Sequence, residues 1–130
     1  MPPIEELIFV YNADSNFFAE MFGFAHKILL PKSYACNLCK VTYGNFTMKS
    51  EWKEFLGSLP QKKIFLYRHE FAKAFAQFKG VVLPLIIARD AQRTYVLVSA
   101  RELNGIKEIS KLKDLINLKI SSRTQAPDFR

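Results

Sequence analysis

The order in which two kinds of apolar pattern follow one another constrains this chain more than any other feature of its sequence. Short runs rich in β-branched and aromatic residues, typical of buried strands, alternate with stretches in which apolar residues recur every three or four positions, as in amphipathic helices. The predicted order is strand, helix, an inserted segment with a helix, strand, helix, strand, strand and helix. The strand runs are residues 7–11, 63–68, 81–88 and 94–99, and the helical stretches are about 16–30, 50–59, 71–78 and 110–118.

This order predicts an α/β fold built on one core. Two β-α units with right-handed crossovers, followed by a β-hairpin and a last helix, give a four-stranded mixed sheet with helices on both faces. A chain of 130 residues with 49% hydrophobic content suits a single domain. We expect that domain to cover residues 1–120, with an inserted Cys-containing loop and helix at about 31–59 and a frayed tail at 121–130.

The charge of the chain is basic and unevenly distributed. The net charge is +7, and residues 21–69 contain eight bases and two acids, whereas residues 1–20 contain four acids and no base. Such an excess attracts polyanions and acidic surfaces. Because the bases form no run and no RNA-binding signature is present, nucleic acid is not an expected partner, and a solvated basic face is the simpler interpretation.

The amino-terminal segment and the two cysteines indicate a cellular compartment. No basic region precedes the apolar run at 7–11, and that run is too short for a signal peptide core or a membrane span. We therefore expect a cytoplasmic protein with no membrane attachment. In such a reducing compartment, two close cysteines are more often redox-active or metal-binding than a structural bridge.

Cys36 and Cys39 form a C-x-x-C pair, the spacing with the most chemical content in the chain. At this spacing one sulfur can attack a disulfide while the other resolves the intermediate, and both can also bind one metal ion. A zinc site would use Cys36, Cys39 and His26, with His69 as a candidate fourth ligand. The alternative to both is a pair of ordinary packed thiols.

Other candidate positions carry weaker signals. Asn12, Asp14 and Ser15 follow the first strand, where α/β sheets often bind ligands, but a helix cap is the favoured interpretation of Asp14 or Ser15. No G-x-S-x-G elbow or P-loop is present, which excludes these two routes to hydrolysis and phosphate binding. Phe17 and Phe24 lie off the apolar stripe of the first predicted helix and are candidates for a homodimer patch.

The second half of the chain resembles the thioredoxin-like superfamily. In that family a cis-proline opens the third core strand, a hairpin follows, and a closing helix packs back on the sheet. Leu83-Pro84-Leu85-Ile86-Ile87-Ala88, residues 93–99 and residues 109–118 match this pattern. The resemblance implies a thioredoxin-like three-layer sandwich in which Pro84 would be the cis-proline. It would shape a groove for the substrate, a protein thiol or a small disulfide.

The position of the cysteines departs from that family. Thioredoxin-like oxidoreductases place C-x-x-C directly after the first strand, at the head of the first helix, where the helix dipole stabilises a thiolate. Here residues 12–15 occupy that position, and Cys36 follows more than twenty residues later. A helix over 16–30 would carry the chain about 22 Å toward the opposite pole of the sheet. About seven extended residues could bring it back, so the sequence leaves the distance between the cysteines and Pro84 open.

Short stretches at residues 10–14, 25–27, 36–39 and 42–44, among them VYNAD and CNLC, also resemble small bacterial proteins without an assigned activity. That likeness implies no function. Our expectation is a thiol-disulfide redox protein in which Cys36 attacks and Cys39 resolves. The alternative is a non-enzymatic module that binds zinc, or that binds a partner protein through its basic face.

Overall fold

The structure is a computed structural model, and it describes residues 2–13, 37–42 and 49–125. The predicted helix at 16–30 lies outside these residues. Labels below number the described elements in chain order. The strands are β1 (Glu6–Val10), β2 (Lys62–Leu66), β3 (Leu85–Arg89) and β4 (Thr94–Val98); the helices are α1 (Asn37–Thr42), α2 (Ser50–Ser58), α3 (Arg68–Ala74), α4 (Ala100–Asn104) and α5 (Ile109–Gln125), with a 3₁₀ helix at Ala76–Phe78.

The strands form one mixed sheet in the order β2-β1-β3-β4. β1 and β2 are parallel, whereas β3 is antiparallel to β1 and to β4. The connection from β3 to β4 is a short hairpin in which the Asp90 carboxylate accepts hydrogen bonds from the N–H groups of Gln92 and Arg93, at 2.8 and 2.9 Å. The prediction of an α/β fold with a four-stranded mixed sheet is confirmed.

The register brings four chain segments to one edge of this sheet. Val10 pairs with Leu66 on one side and with Leu85 on the other, and Ile86 pairs with Val98. Because β3 runs opposite to its neighbours, its first residue lies beside the last residues of the other strands. We call this edge the carboxyl edge; the residues just beyond the strands there are Asn12, Tyr67, Pro84 and Ser99.

Alternating strand residues supply two separate cores, one on each face of the sheet. The main core contains Leu7 and Phe9 of β1, and the second core contains Ile8 and Val10. Helices α1, α2, α4 and α5 pack on the main core, with Trp52 completely buried and its ring edge-on to Phe9 at 5.8 Å between centroids. α3 packs on the second core. Helices therefore lie against both faces.

The sequence also suggests a short strand at residues 40–43, but residues 40–42 belong to α1. Leu38, Cys39, Val41 and Thr42 are all buried, and the spacing of these residues is that of one helical face. A helix satisfies its backbone groups internally while it buries that face on the sheet. Six residues are too few for the sequence to show a helical period.

The carboxyl-terminal helix is longer than predicted. We placed its end at Leu118, but α5 continues to Gln125 and includes half of the predicted tail. Ile116 is completely buried, and Ile120, one turn later, packs partly against the main core. Lys119 forms an ion pair with Glu102 of α4 at 2.5 Å. These contacts hold a polar segment in helical form that its own sequence does not favour.

Two further boundaries differ from the predicted ones. β3 begins at Leu85, not at Val81, and Val81 and Val82 before it are exposed. Pro84 has no N–H to donate to a neighbouring strand, which explains why the strand begins after it. α3 begins at Arg68, three residues before the predicted start, because the backbone N–H of Tyr67 donates to the Glu70 carboxylate at 2.8 Å and caps the helix.

Candidate functional site

Cys39 lies in α1, where its side chain is buried, with 4% of its surface exposed, and takes part in a disulfide bond. Cys36 lies outside the described residues. The end of α1 is anchored at Thr42, whose hydroxyl donates to the Leu38 carbonyl at 2.7 Å and whose carbonyl accepts the N–H of Lys49 at 2.8 Å. Cys39 is thus a residue of the main core and has little direct access to solvent.

The neighbours of α1 indicate where along the sheet Cys39 lies. α1 contacts α4, and α4 starts immediately after β4. Since β4 ends at the carboxyl edge, the helix that carries Cys39 lies on the main-core face close to that edge. Of the two placements that the sequence left open, the contacts of α1 favour the return of the chain toward the end of the sheet where Pro84 lies.

Pro84 is buried and directly precedes β3, and the peptide bond between Leu83 and Pro84 is cis. This is the isomer that the resemblance implied. Leu85 pairs with Val10, which places Pro84 beside the carboxyl end of β1. Leu83 packs against the second core, whereas Cys39 packs in the main core. The approaches to Pro84 through Leu83 and to Cys39 are therefore on opposite faces of the sheet.

The residues predicted for a zinc site are not gathered in the part of the chain that the structure describes. Among residues 2–13, 37–42 and 49–125, no group of three or more His, Cys, Asp and Glu is placed to hold a metal ion. Cys36 and His26 lie outside those ranges. His69 is exposed near the start of α3, on the face opposite Cys39, and a sulfur in a disulfide carries no thiolate for a metal.

A groove opens beside α3, at the carboxyl edge of the sheet. Its volume is about 550 Å³. Phe71 and Phe75 are buried and form its floor, whereas Arg68 and Lys79 are exposed at its margin. We call it the α3 groove; it is lined by Asn12, Arg68, Phe71, Ala72, Phe75, Ala76, Phe78, Lys79, Gly80, Val81 and Leu83.

Hydrogen bonds hold the polar wall of the α3 groove. The guanidinium of Arg68 donates to the side-chain oxygen of Asn12 at 3.1 Å, and its backbone N–H donates to the Ala13 carbonyl at 2.8 Å. Next to it, burial raises the pKa of the Tyr67 phenol, and the Glu70 carboxylate raises it further. Asn12, which the sequence analysis names as a candidate ligand position, lines this groove; Asp14 and Ser15 lie outside the described residues.

The sequence interpretation missed the α3 groove because it assigned the stripe of phenylalanines at 71–78 to the core alone. Phe71 and Phe75 are buried as expected, but the same rings are the floor of an open cleft. The signal in the sequence was a short stripe of phenylalanines with a basic residue on either side, Arg68 and Lys79. Among the described residues that line the groove, none is acidic. Phe17 and Phe24, the candidates for a dimer patch, lie outside the described residues.

The described helices and the comparisons with known proteins add two findings. In the part of the chain that the structure covers, no helix combines the length and apolar character needed to cross a membrane. No protein-family model matches the chain, and no curated protein or solved structure is significantly similar to it.

Proposed function

We propose that this protein is a thioredoxin-like thiol-disulfide redox protein that uses Cys36 and Cys39. The observation that carries the proposal is Cys39 itself, which forms a disulfide on a helix beside α4, near the edge of the sheet where Pro84 precedes β3. A C-x-x-C pair that can form a disulfide has the bond needed to store and release two electrons.

The arrangement of the second half of the chain supports the proposal that the protein is thioredoxin-like. Pro84 stands at the head of β3, the β3–β4 hairpin follows, and α5 packs back on the main core through Ile109, Leu112 and Ile116. These are the features on which the resemblance rests. The preceding β1 and β2 are parallel neighbours, as two β-α units require.

The reaction proposed is the reduction of a disulfide in a protein or small molecule. In the reduced protein, the Cys36 thiolate attacks one sulfur of the substrate disulfide, which forms a mixed disulfide and releases one substrate thiolate. The Cys39 thiolate then attacks the Cys36 sulfur and releases the second substrate thiolate, which leaves the Cys36–Cys39 disulfide. Two electrons pass to the substrate, the released thiolates take protons from water, and cellular thiols in the cytoplasm regenerate the dithiol.

Burial supports this division of roles. The Cys39 side chain is 4% exposed and surrounded by the main core, so a substrate disulfide has little room to reach its sulfur. A buried thiol can still attack a neighbouring sulfur within the same protein. Cys39 therefore suits the resolving role and leaves the attack on substrate to Cys36.

Trapping of the mixed disulfide tests the proposal. Reduced wild-type protein, Cys36→Ser and Cys39→Ser are mixed with oxidised insulin, and the products are separated without reductant and identified by mass spectrometry. We expect Cys39→Ser to accumulate a covalent adduct through Cys36, Cys36→Ser to react at least about tenfold more slowly, and the wild type to end as an internal disulfide. Adducts formed only by Cys36→Ser would reverse the roles.

Metal analysis separates the proposal from its alternative. Protein purified without chelators is measured for zinc, and its dithiol is equilibrated with glutathione buffers of known potential. A dithiol potential in the range of the cytosolic thiol pool supports redox chemistry. Stoichiometric zinc that disappears in Cys36→Ser, together with no reduction of insulin by the wild type, would overturn the proposal in favour of a metal-binding module.

A further inference from the structure

We propose that the α3 groove binds a small amphipathic carboxylate, meaning an alkyl or aryl body that ends in one carboxylate. The proposal does not depend on the redox function, because α3 and the groove floor belong to the second core and Cys39 belongs to the main core. The volume of the groove, about 550 Å³, falls in the range typical of small-molecule sites.

The floor of the groove suits an apolar body. The rings of Phe71, Phe75 and Phe78 contact one another, with centroid distances of 5.6 Å (Phe71–Phe75), 6.2 Å (Phe75–Phe78) and 6.4 Å (Phe71–Phe78). Mutual packing of this kind limits how far each ring can turn and holds the floor in shape. Leu83 extends the apolar surface toward the sheet. An inorganic anion would leave this floor in contact with water.

The walls of the groove favour one negative charge. Arg68 and Lys79 both line it, and among the described residues that line it none is acidic. The bonds of Arg68 to Asn12 and to the Ala13 carbonyl fix where its charge lies. A carboxylate beside the exposed ammonium of Lys79 gains a charge-assisted hydrogen bond. A neutral ligand with the same apolar body would not gain this bond.

The rim of the groove explains why an extended apolar chain fits better than a compact one. Val81, which lines the groove, is 37% exposed, and its neighbour Val82 is 68% exposed. Adjacent apolar side chains that face solvent next to an apolar cleft lengthen the surface that a ligand can cover. A ligand chain can leave the phenylalanine floor across Val81 and stay in apolar contact.

Octanoate is the probe that tests this site, and octan-1-ol is its uncharged match. Affinities are measured by isothermal titration calorimetry, and the site is mapped by amide chemical shifts in two-dimensional NMR spectra. We expect octanoate to bind about fivefold or more tightly than octan-1-ol, because an exposed charge-assisted contact contributes about 1 kcal/mol. The largest shifts should fall within residues 68–83, and those in α1 should stay small.

Two matched pairs of variants make the test specific. Lys79→Gln removes a charge at the groove and should weaken octanoate about fivefold, whereas Lys73→Gln removes an exposed charge of α3 that does not line the groove and should leave the affinity unchanged. Ala72→Phe fills the groove and should abolish saturable binding. Ala74→Phe places the same ring on α3 outside the lining and should bind as the wild type does.

Four results would contradict binding of a carboxylate in the α3 groove. The proposal is overturned if octanoate shows no saturable binding, if octan-1-ol binds as tightly, if the shifts lie outside residues 68–83, or if Lys79→Gln binds like Lys73→Gln. Far-UV circular dichroism establishes that each variant is folded. If Ala72→Phe does not fold, the lysine pair and the alcohol control still decide the outcome.

Discussion

The two faces of the sheet use the same strands for different purposes. On one face, four of the described helices pack over the main core, and Cys39 is buried among them. On the other face, α3 covers the second core and leaves the α3 groove beside it, with Arg68 and Lys79 at its margin. Neighbouring residues of one strand therefore face a closed interior and an open cleft.

This difference between the faces suits the two proposed activities to different sides of the sheet. A thiol in a closed core is protected from solvent and suits reaction with a second sulfur of the same chain. An open aromatic floor with cations at its margin suits reversible binding of a small ligand. The helix that carries Cys39 and the α3 groove both lie near the carboxyl edge of the sheet. α4, which contacts α1, begins there, and so does the groove wall formed by Asn12 and Arg68.

The largest expected effect is a difference in stability between alanine substitutions at two adjacent residues of β3. Ile86 faces the main core and Ile87 faces the second core, and both are completely buried. We expect Ile86→Ala to lower the free energy of unfolding by about 4 kcal/mol and Ile87→Ala by about 2 kcal/mol, because side chains beside the groove can shift into the cavity and those under four helices cannot. Urea denaturation followed by circular dichroism measures both.

The control for this pair is Val82→Ala, which removes methyl groups from a side chain that is 68% exposed. Its effect should stay within about 0.5 kcal/mol. Equal losses for Ile86→Ala and Ile87→Ala, or a larger loss at Ile87, would contradict the distinction between a closed and an open face.

A smaller difference in stability is expected between the caps of α3 and α4, the two helices that start at the carboxyl edge. In α4, the Ser99 hydroxyl accepts the N–H of Glu102 at 3.2 Å and the Glu102 carboxylate accepts the N–H of Ser99 at 2.9 Å; in α3, the Glu70 carboxylate accepts the N–H of Tyr67 at 2.8 Å. We expect Ser99→Ala to cost about 1 kcal/mol and Glu70→Ala about half of that.

Thermal unfolding of the two cap variants at neutral pH gives the comparison. Ser99→Thr keeps a hydroxyl that can accept the same hydrogen bond and should recover most of the stability lost in Ser99→Ala. If Glu70→Ala lost as much stability as Ser99→Ala, both helices would depend equally on their caps. That result would contradict the expected difference between α3 and α4.

The smallest expected effect is a pH dependence at Glu102. Burial raises the pKa of this carboxyl, but its hydrogen bonds with Lys119 and Ser99 outweigh burial and leave the pKa below its ordinary value. A carboxyl with a lowered folded-state pKa stabilises the fold above its ordinary pKa and loses that contribution as the pH falls through the lowered value. Glu102→Gln keeps a capping side chain and removes the charge.

The stability of the wild type and of Glu102→Gln is compared from neutral pH to about pH 3. We expect a wild-type advantage of less than about 1 kcal/mol at neutral pH, since the pair is partly exposed, and a decline toward acid pH. Lys119→Met should remove the share of this pH dependence that comes from Lys119 and leave the share that comes from Ser99. An advantage of Glu102→Gln over the wild type at neutral pH would contradict the assignment.

Several parts of the fold were readable from the sequence because their signals are local. The apolar runs at 7–11, 63–68 and 94–99 lie within one or two residues of β1, β2 and β4. The sequence also carried the start of α4, since Ser99 and Glu102 form an S-x-x-E capping box after a buried strand, but we did not predict this helix. That omission was one of interpretation and not of missing information.

Other parts depend on contacts between segments far apart in the chain. α1 was not predicted because its six residues show no period, and the α5 residues beyond Leu118 are helical because Lys119 and Ile120 contact α4 and the main core. The α3 groove has the same origin, since Asn12 and Arg68 are 56 residues apart and meet only when β1 and β2 pair.

The sequence by itself determined an α/β chain with a four-stranded sheet, a proline before the third strand and a C-x-x-C pair, because hydrophobic period and residue type act within a few neighbouring residues. Only the tertiary structure decided on which face of the sheet each residue packs, that Cys39 is buried in the main core, and that a groove with basic residues at its margin opens on the other face. The physical reason is that burial, charge pairing and cleft shape are set by packing between elements, and strand register assigns alternate residues of one chain to opposite sides of the sheet.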